Sequence, residues 1–291
     1  MGLFDGLKAS KAYKLQSQGD YEGARKLYEE SIQSGMNSPR FLVAYSILLL
    51  RSRDFERARE ILRKAEKAPG VTPDQKTQIF VNYAVCTFCM GEIDKGIRLL
   101  EKQHMHQPSG LTYQTLGCLY VEKYARGNEP DFDQQDREAM AAYEKALSEW
   151  KAAQALAGEA LPEGAASPAP EAPARPEDAR TAWQKGIEKV QKFIEASLEY
   201  DEEDSICLDN MGQFQYRVMG DREKAVPYFK KALQLKPEQI DTLYFLAQFD
   251  IQDGKTAEAR EKLETAARGR FSPMNFADKE KVEAALASLK S

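Results

Sequence analysis

A helical pattern that returns at a fixed distance constrains this chain more than any other feature. Ala24 and Ala58 are 34 residues apart, and Ala225 and Ala259 are separated by the same 34. Each alanine follows a tight turn and precedes a large apolar residue four positions on and a small residue three further. The turns read Gly19-Asp20-Tyr21, Arg53-Asp54-Phe55, Gly91-Glu92-Ile93, Gly220-Asp221 and Asp253-Gly254. The following helices read Ala24…Tyr28…Ser31, Ala58…Leu62…Ala65, Gly96…Leu100…Gln103, Ala225…Phe229…Ala232 and Ala259…Leu263…Ala266. Spacings of four and three put each set on one helix face. Small residues let two helices approach closely, and the large residue between them fills the gap. A single pair cannot bury its apolar face, so the pairs must stack into an array.

Composition agrees with an all-α chain. Of the 291 residues 30% are charged and 42% hydrophobic, which suits a folded chain rather than a disordered one. The net charge is -5 with both signs interspersed, so no basic stripe points to nucleic acid or an anionic membrane. The longest apolar run, Phe41 to Leu50, is about half of what a bilayer crossing needs. The start, Met-Gly-Leu-Phe-Asp-Gly-Leu-Lys, lacks the basic-then-apolar pattern of an export signal. Gly2 fits an acylation site, but Gly6 stands where that motif requires Ser or Thr. The four cysteines show no disulfide-framework spacing, so a reducing, cytoplasmic setting is expected.

The repeat resembles the tetratricopeptide repeat family. That family's unit carries a large residue, Leu-Gly and Tyr in its first helix, then Ala, Phe or Tyr, Ala and Pro in its second. Tyr113, Leu116-Gly117 and Tyr120 match the first half; Ala225, Phe229, Ala232 and Pro237 match the second. Earlier repeats are looser, with Met36 and Gly70 in place of the closing proline. The resemblance implies a right-handed superhelical solenoid of helix pairs, and a protein-binding scaffold or adaptor rather than an enzyme.

Three segments follow from this frame. Residues 1–126 hold repeats 1–3 and the first helix of repeat four. Residues 127–180 form an insertion, with an extra helix over about Gln134–Ala157 and a disordered Ala/Pro-rich run over Gly158–Asp178. Residues 181–291 complete repeat four, add repeats five and six, and end in a capping helix from Asn275 onward carrying Phe276, Val282, Leu286 and Leu289. Two segments compete to complete repeat four. Ala139…Tyr143…Ala146 fits the pattern but lies too far on, whereas the spacing from Ser197 to Gly212 equals that from Ala232 to Ala247 and favours Thr181–Tyr200.

In the family that this chain resembles, first helices line the concave surface. Three of them are apolar on every side here, which places Val43, Ile47, Leu50, Val81, Val85, Phe88, Cys118 and Val121 on the groove side, with Asn82 as the polar exception. Such helices are buried by tight curvature or under the inserted helix, or they open onto a groove for an amphipathic helix or extended apolar peptide. The Lys/Asn/Arg set with which some relatives clamp a chaperone's terminal carboxylate is missing. A second, aromatic and polar face is expected from Asp209, Asn210, Gln213, Tyr216 and Arg217, joined by Tyr244 and Phe245.

Little else carries chemistry. Cys86-Thr-Phe-Cys89 precedes the only histidines, His104 and His106, but helical rise across the Gly91 turn separates them by roughly 8–15 Å, too far for shared metal ligation. No phosphate loop, dinucleotide fingerprint or nucleophile elbow is present. No cofactor, metal or small-molecule substrate is implied, and the expected partner is another protein. The competing readings are a structural subunit using the convex surface and a peripheral membrane assembly factor anchored by Leu3, Phe4 and Leu7.

Overall fold

The computed structural model describes residues 3–160 and 171–289; Gly2 and the middle of the proline-rich run lie outside the described residues. Among these, all regular structure is helical. Helices α1 (Leu3–Gln18) and α2 (Tyr21–Gln33) form the first pair, α3 (Pro39–Arg51) and α4 (Phe55–Glu66) the second, and α5 (Pro73–Cys89) and α6 (Ile93–His106) the third. Helix α7 (Gly110–Tyr124) is followed by α8 (Phe132–Ala160) and then by α9 (Ala179–Tyr200), and it is α9 that packs along α7. Helix α10 (Ser205–Gln213) runs into a π-helical turn, Phe214–Val218, and pairs with α11 (Arg222–Leu235). Helices α12 (Ile240–Gln252) and α13 (Thr256–Ala267) make the last pair, and α14 (Lys279–Ser288) packs on α13.

Local chemistry starts these helices where it does. Asp20, Asp54 and Asp221 each accept a hydrogen bond from the backbone N–H three residues on, at the head of α2, α4 and α11. Thr72 and Gln75 form a reciprocal capping box before α5, with Pro73 at its first position. At the turns that join the two helices of a pair, Gly19, Gly91, Gly220 and Gly254 hold positive φ. In repeat two the same place is filled by Arg53, at φ 58.

The core is a row of knobs between second and first helices. Tyr28, Leu62, Leu100, Ile194, Phe229 and Leu263 are all fully buried, each flanked by the small or polar positions of the repeat. Gly212 shows how close the helices come, since a Cβ there would lie 2.7 Å from Cε1 of Phe229. Neighbouring pairs are also tied by recurring polar contacts. Tyr45 donates to Glu29 at 2.6 Å, and Tyr120 donates to Glu101 at 2.6 Å. Arg57 meets Glu29 with two nitrogens, at 2.9 and 2.6 Å.

Two expectations require correction. The inserted helix, expected over about Gln134–Ala157, spans Phe132–Ala160, and its start packs against α9 rather than in the concave face. It starts beside α9, with the Phe132 ring 6.1 Å from Trp183 and Asp136 accepting from the Ala179 N–H at 2.7 Å. The capping helix does not begin at Asn275. Asp278 caps it by accepting from Lys281 N at 2.8 Å, and Phe276 belongs to the connection before it. Of the apolar trio at the start, Leu7 is exposed.

Two substitutions should move stability in opposite directions. Arg53→Gly relieves a left-handed backbone at an exposed turn and should raise the unfolding free energy by about 1 kcal/mol. Gly212→Ala forces a methyl onto a buried ring that is itself stacked 5.4 Å from Phe245. It should cost about 1–3 kcal/mol despite the better helix propensity of alanine. Thermal melts followed by circular dichroism measure both.

Candidate functional site

The first helices of successive pairs bring the sequence-selected residues to the concave side, but not all to one place. Ile47, Leu50, Asn82 and Val85 line a common cavity of about 220 Å³. Cys118 lines a neighbouring one of about 420 Å³ with Gln114, Asp209, Gln213 and Asp241. Val43, Val81 and Val121 are buried in the apolar clusters between helices. Phe88 contributes instead to a cavity of about 630 Å³ between the α5–α6 turn, α7 and α9. Asn82 is buried and tied down, donating to Ser46 Oγ at 3.2 Å and accepting from Gln78 at 2.8 Å.

What covers this face is the chain itself. Residues 268–278, the connection from α13 to α14, run as a strap across the concave side. The strap is shaped by a turn in which Asn275 Oδ1 accepts from Ser272 N at 2.7 Å and Ser272 O accepts from Asn275 N at 3.0 Å. Arg270 through Met274 form the outer wall of the cavity that Ile47 and Val85 line. Met274 packs against both of the larger apolar clusters, and its carbonyl accepts from the Cys118 thiol at 3.6 Å. Sequence reasoning missed the strap because its residues have no period. The available signal was the crowding of Phe271, Pro273, Met274 and Phe276 into a connection where polar residues are the rule.

The far end of the strap is held by polar and aromatic contacts. Asp241, on α12, accepts from Asn275 Nδ2 at 3.1 Å, Phe276 N at 3.1 Å and Ala277 N at 2.9 Å. The Phe276 ring stacks on Phe245 at 5.1 Å between centroids. The cations of Arg217 and Lys281 each stand 4.0 Å from the Phe276 ring centroid, an arrangement favoured by the negative charge of the ring faces.

The residues expected to form a second, open face are therefore largely internal. Asp209, Asn210, Gln213 and Phe245 are buried, while Tyr216, Arg217 and Tyr244 are half-buried. Asp209 accepts from Thr242 Oγ1 at 2.5 Å and from Gln213 Nε2 at 2.7 Å. Asn210 donates to the Gln114 carbonyl at 2.9 Å across to α7. Arg217 grips Glu122 at 2.5 and 3.0 Å and also donates to Gln213. The π-helical turn makes this possible. Its wider winding leaves the carbonyls of Tyr216 and Arg217 to accept from Arg126 and turns the Arg217 side chain toward both α7 and the strap.

Burial, reinforced by the facing charge of Asp241, pushes the Asp209 carboxyl well above the ordinary carboxylate range. Asp241 is also raised, chiefly by burial, although the N–H of Ala277 and the Asn275 amide pull it back. Gln239, which lines the same cavity, has a buried Oε1 with no hydrogen-bond partner among the described residues.

The cysteines and histidines carry separate structural contacts. The Cys86 thiol donates to the Phe55 carbonyl at 3.0 Å, and burial raises it to about 11. His104 Nδ1 is 2.8 Å from Thr112 Oγ1, with the ring packed edge-on to Tyr113. Among the described residues, no group of three His, Cys, Asp or Glu is placed to hold a metal ion, and no helix is long and apolar enough to cross a membrane.

Residues 15–77 and 219–270 match the family model for the tetratricopeptide repeat. Among solved structures, the fold is similar to a thermophilic tetratricopeptide repeat protein of Thermus thermophilus, with a TM-score of 0.55 and 13% identity over 87% of this chain and 99% of that one. It is also similar to PilW, a widely conserved type IV pilus biogenesis factor, with a TM-score of 0.56 and 11% identity over 100% of both chains. At these identities the likeness is one of fold. No curated protein matches the sequence.

The raised Asp209 gives a pH signature. Its proton is held more tightly folded than unfolded, so its contribution is fully present below about pH 4 and is lost as pH rises through the raised value. Asp209→Asn removes that loss. The stability of wild type relative to Asp209→Asn should decline as pH rises above about 4 and level off once Asp209 has ionised. Urea titrations of both proteins across pH 4–8 would show a constant difference if Asp209 were unperturbed.

Proposed function

Since this chain is a tetratricopeptide repeat protein, a fold of protein-binding scaffolds, we propose that it is a non-enzymatic adaptor that holds an extended segment of another polypeptide along its concave groove. One observation carries the reading: the first-helix faces of α5, α7, the π-helical turn and α12 together hold a stretch of non-helical polypeptide, the chain's own strap. Backbone groups and side chains of the strap are both engaged, as extended-peptide binding requires. Cavities of about 220 and 420 Å³ on its flanks leave room for side chains larger than those present.

Of the two partner forms expected, a helix or an extended peptide, the second fits the track better. The segment that the groove already holds, residues 268–278, is non-helical along its length, whereas a docked helix would need a track about 10 Å across. The free cysteines Cys86, Cys89, Cys118 and Cys207 accord with action in a reducing, cytoplasmic setting.

Photo-crosslinking in the source cell tests the proposal. A photoreactive residue replacing Ile47 or Gln114, both partly exposed in the groove, should give crosslinks to another polypeptide. Replacement of Arg63, Lys102 or Lys230, exposed on second helices, should give few. Crosslinks confined to the second-helix positions would overturn the groove reading in favour of a subunit that assembles through its convex surface.

A further inference from the structure

The strap leaves the groove imperfectly filled, and its anchor is built differently from a protein core. Cavities of about 420, 220 and 360 Å³, open to solvent, border the strap. Arg270 and Ser272 are exposed, and Pro273, Met274, Asn275 and Phe276 are only half-buried. On the α14 side, by contrast, Ala277 and Val282 are fully buried against α12 and α13. So the final helix has a dry seat of its own, and the strap before it lies on the surface of a groove wider than itself.

Resting on the groove reading above, we propose that Asp241, Phe245 and Arg217 form the recognition subsite of the groove, and that Asn275 and Phe276 occupy it as a stand-in that the partner displaces. The class of partner follows from what each group reads. Asp241 accepts from the Asn275 amide and the Phe276 N–H through one oxygen, while its other oxygen stays on the Ala277 N–H of the buried seat; every segment without proline at the place of Phe276 offers the same backbone donor. The slot between Phe245 and Arg217 selects an aromatic ring, because stacking and the cation both act on a π face. An aliphatic side chain of equal size would lose both.

The adjoining cavity adds a second requirement. It is lined by Asp209, Asp241, Gln114 and Gln239, a set rich in hydrogen-bond acceptors. An occupant with a donating side chain, an amide, ammonium or guanidinium, a few residues before its aromatic ring would complement that lining, as Met274 of the strap does not. The partner is therefore an extended segment with a donor side chain followed closely by an aromatic residue.

Two measurements test this. First, a fluorescent synthetic peptide with the sequence of residues 269–278 is titrated into the full-length protein and into Asn275→Ala/Phe276→Ala, whose strap has lost its hold. The loosened variant should bind at least about tenfold more tightly than wild type, and replacing the peptide's own phenylalanine at the 276 position with alanine should remove about tenfold of that. A loosened variant that stays helical but binds neither peptide, or both equally, overturns the proposal.

Second, hydrogen exchange of the unaltered protein needs no variant. The Phe276 amide should exchange through a local opening, faster than amides of α12 and α13. If it exchanges only with global unfolding, the strap is part of the core and the proposal fails. Groove crosslinks from Ile47 or Gln114 alongside that result would leave the adaptor reading standing and sink only the displaceable strap.

Discussion

A helix pair with small residues at its crossing leaves one apolar face uncovered, and only another pair of the same shape can cover it. The rest of this structure depends on that incompleteness. Ala24, Ala58, Ala225 and Ala259 are buried where second helices press close to their partners, and Tyr28, Leu62, Phe229 and Leu263 fill the space between. Stacking repeats the same displacement each time, so the array curves and acquires an inner and an outer side. The ion pairs on its outside, such as Lys8–Glu30 and Arg25–Asp54, are substantially exposed and contribute little. The apolar row sets the geometry.

Curvature brings the faces of first helices toward one another, and the groove takes its character from which residues they carry. From α3 and α5 come Ile47, Leu50 and Val85, apolar and close to Met274 of the strap. From the π-helical turn and α12 come Arg217, Asp241 and Phe245, which hold Phe276 by charge, hydrogen bond and ring contact. One non-helical segment thus meets an apolar half and a polar half in sequence. Among the described residues no cation bonds directly to Asp209 or Asp241, and burying carboxylates in that way is unfavourable. Such a pair persists because each oxygen has donors: Thr242 and Gln213 for one carboxylate, the strap backbone and Asn275 for the other.

Resemblance of fold to other tetratricopeptide repeat structures says how such an array is built, and leaves open what it holds. That question belongs to the particular residues in the groove. The π-helical turn illustrates the point. Nothing in the run Phe214–Val218 sets it apart by composition, yet its extra width frees two carbonyls for Arg126 and aims Arg217 at Glu122 and Phe276 together.

The sequence by itself determined the all-α architecture and the stacking of pairs. These depend on spacings of three, four and 34 along the chain, and periodic residues report a local geometry directly. It also marked Val43, Ile47, Leu50, Val81, Asn82, Val85, Phe88, Cys118 and Val121 as one groove set, of which Ile47, Leu50, Asn82 and Val85 share a cavity. Only the tertiary structure decided what lies over them. Residues 268–278 have no period, and their contacts reach Cys89, Cys118, Arg217 and Asp241, far away in the chain. Phe276, read at helical spacing with Val282, Leu286 and Leu289, lies before the Asp278 cap and in a slot made by residues 217 and 245. Asp209 and Gln213 read as an outward face because their helix has polar residues on that side, and the next pair and the strap turned that side inward. Periodicity reveals which side of a helix is polar; the burial of that side depends on segments whose approach leaves no mark on local spacing.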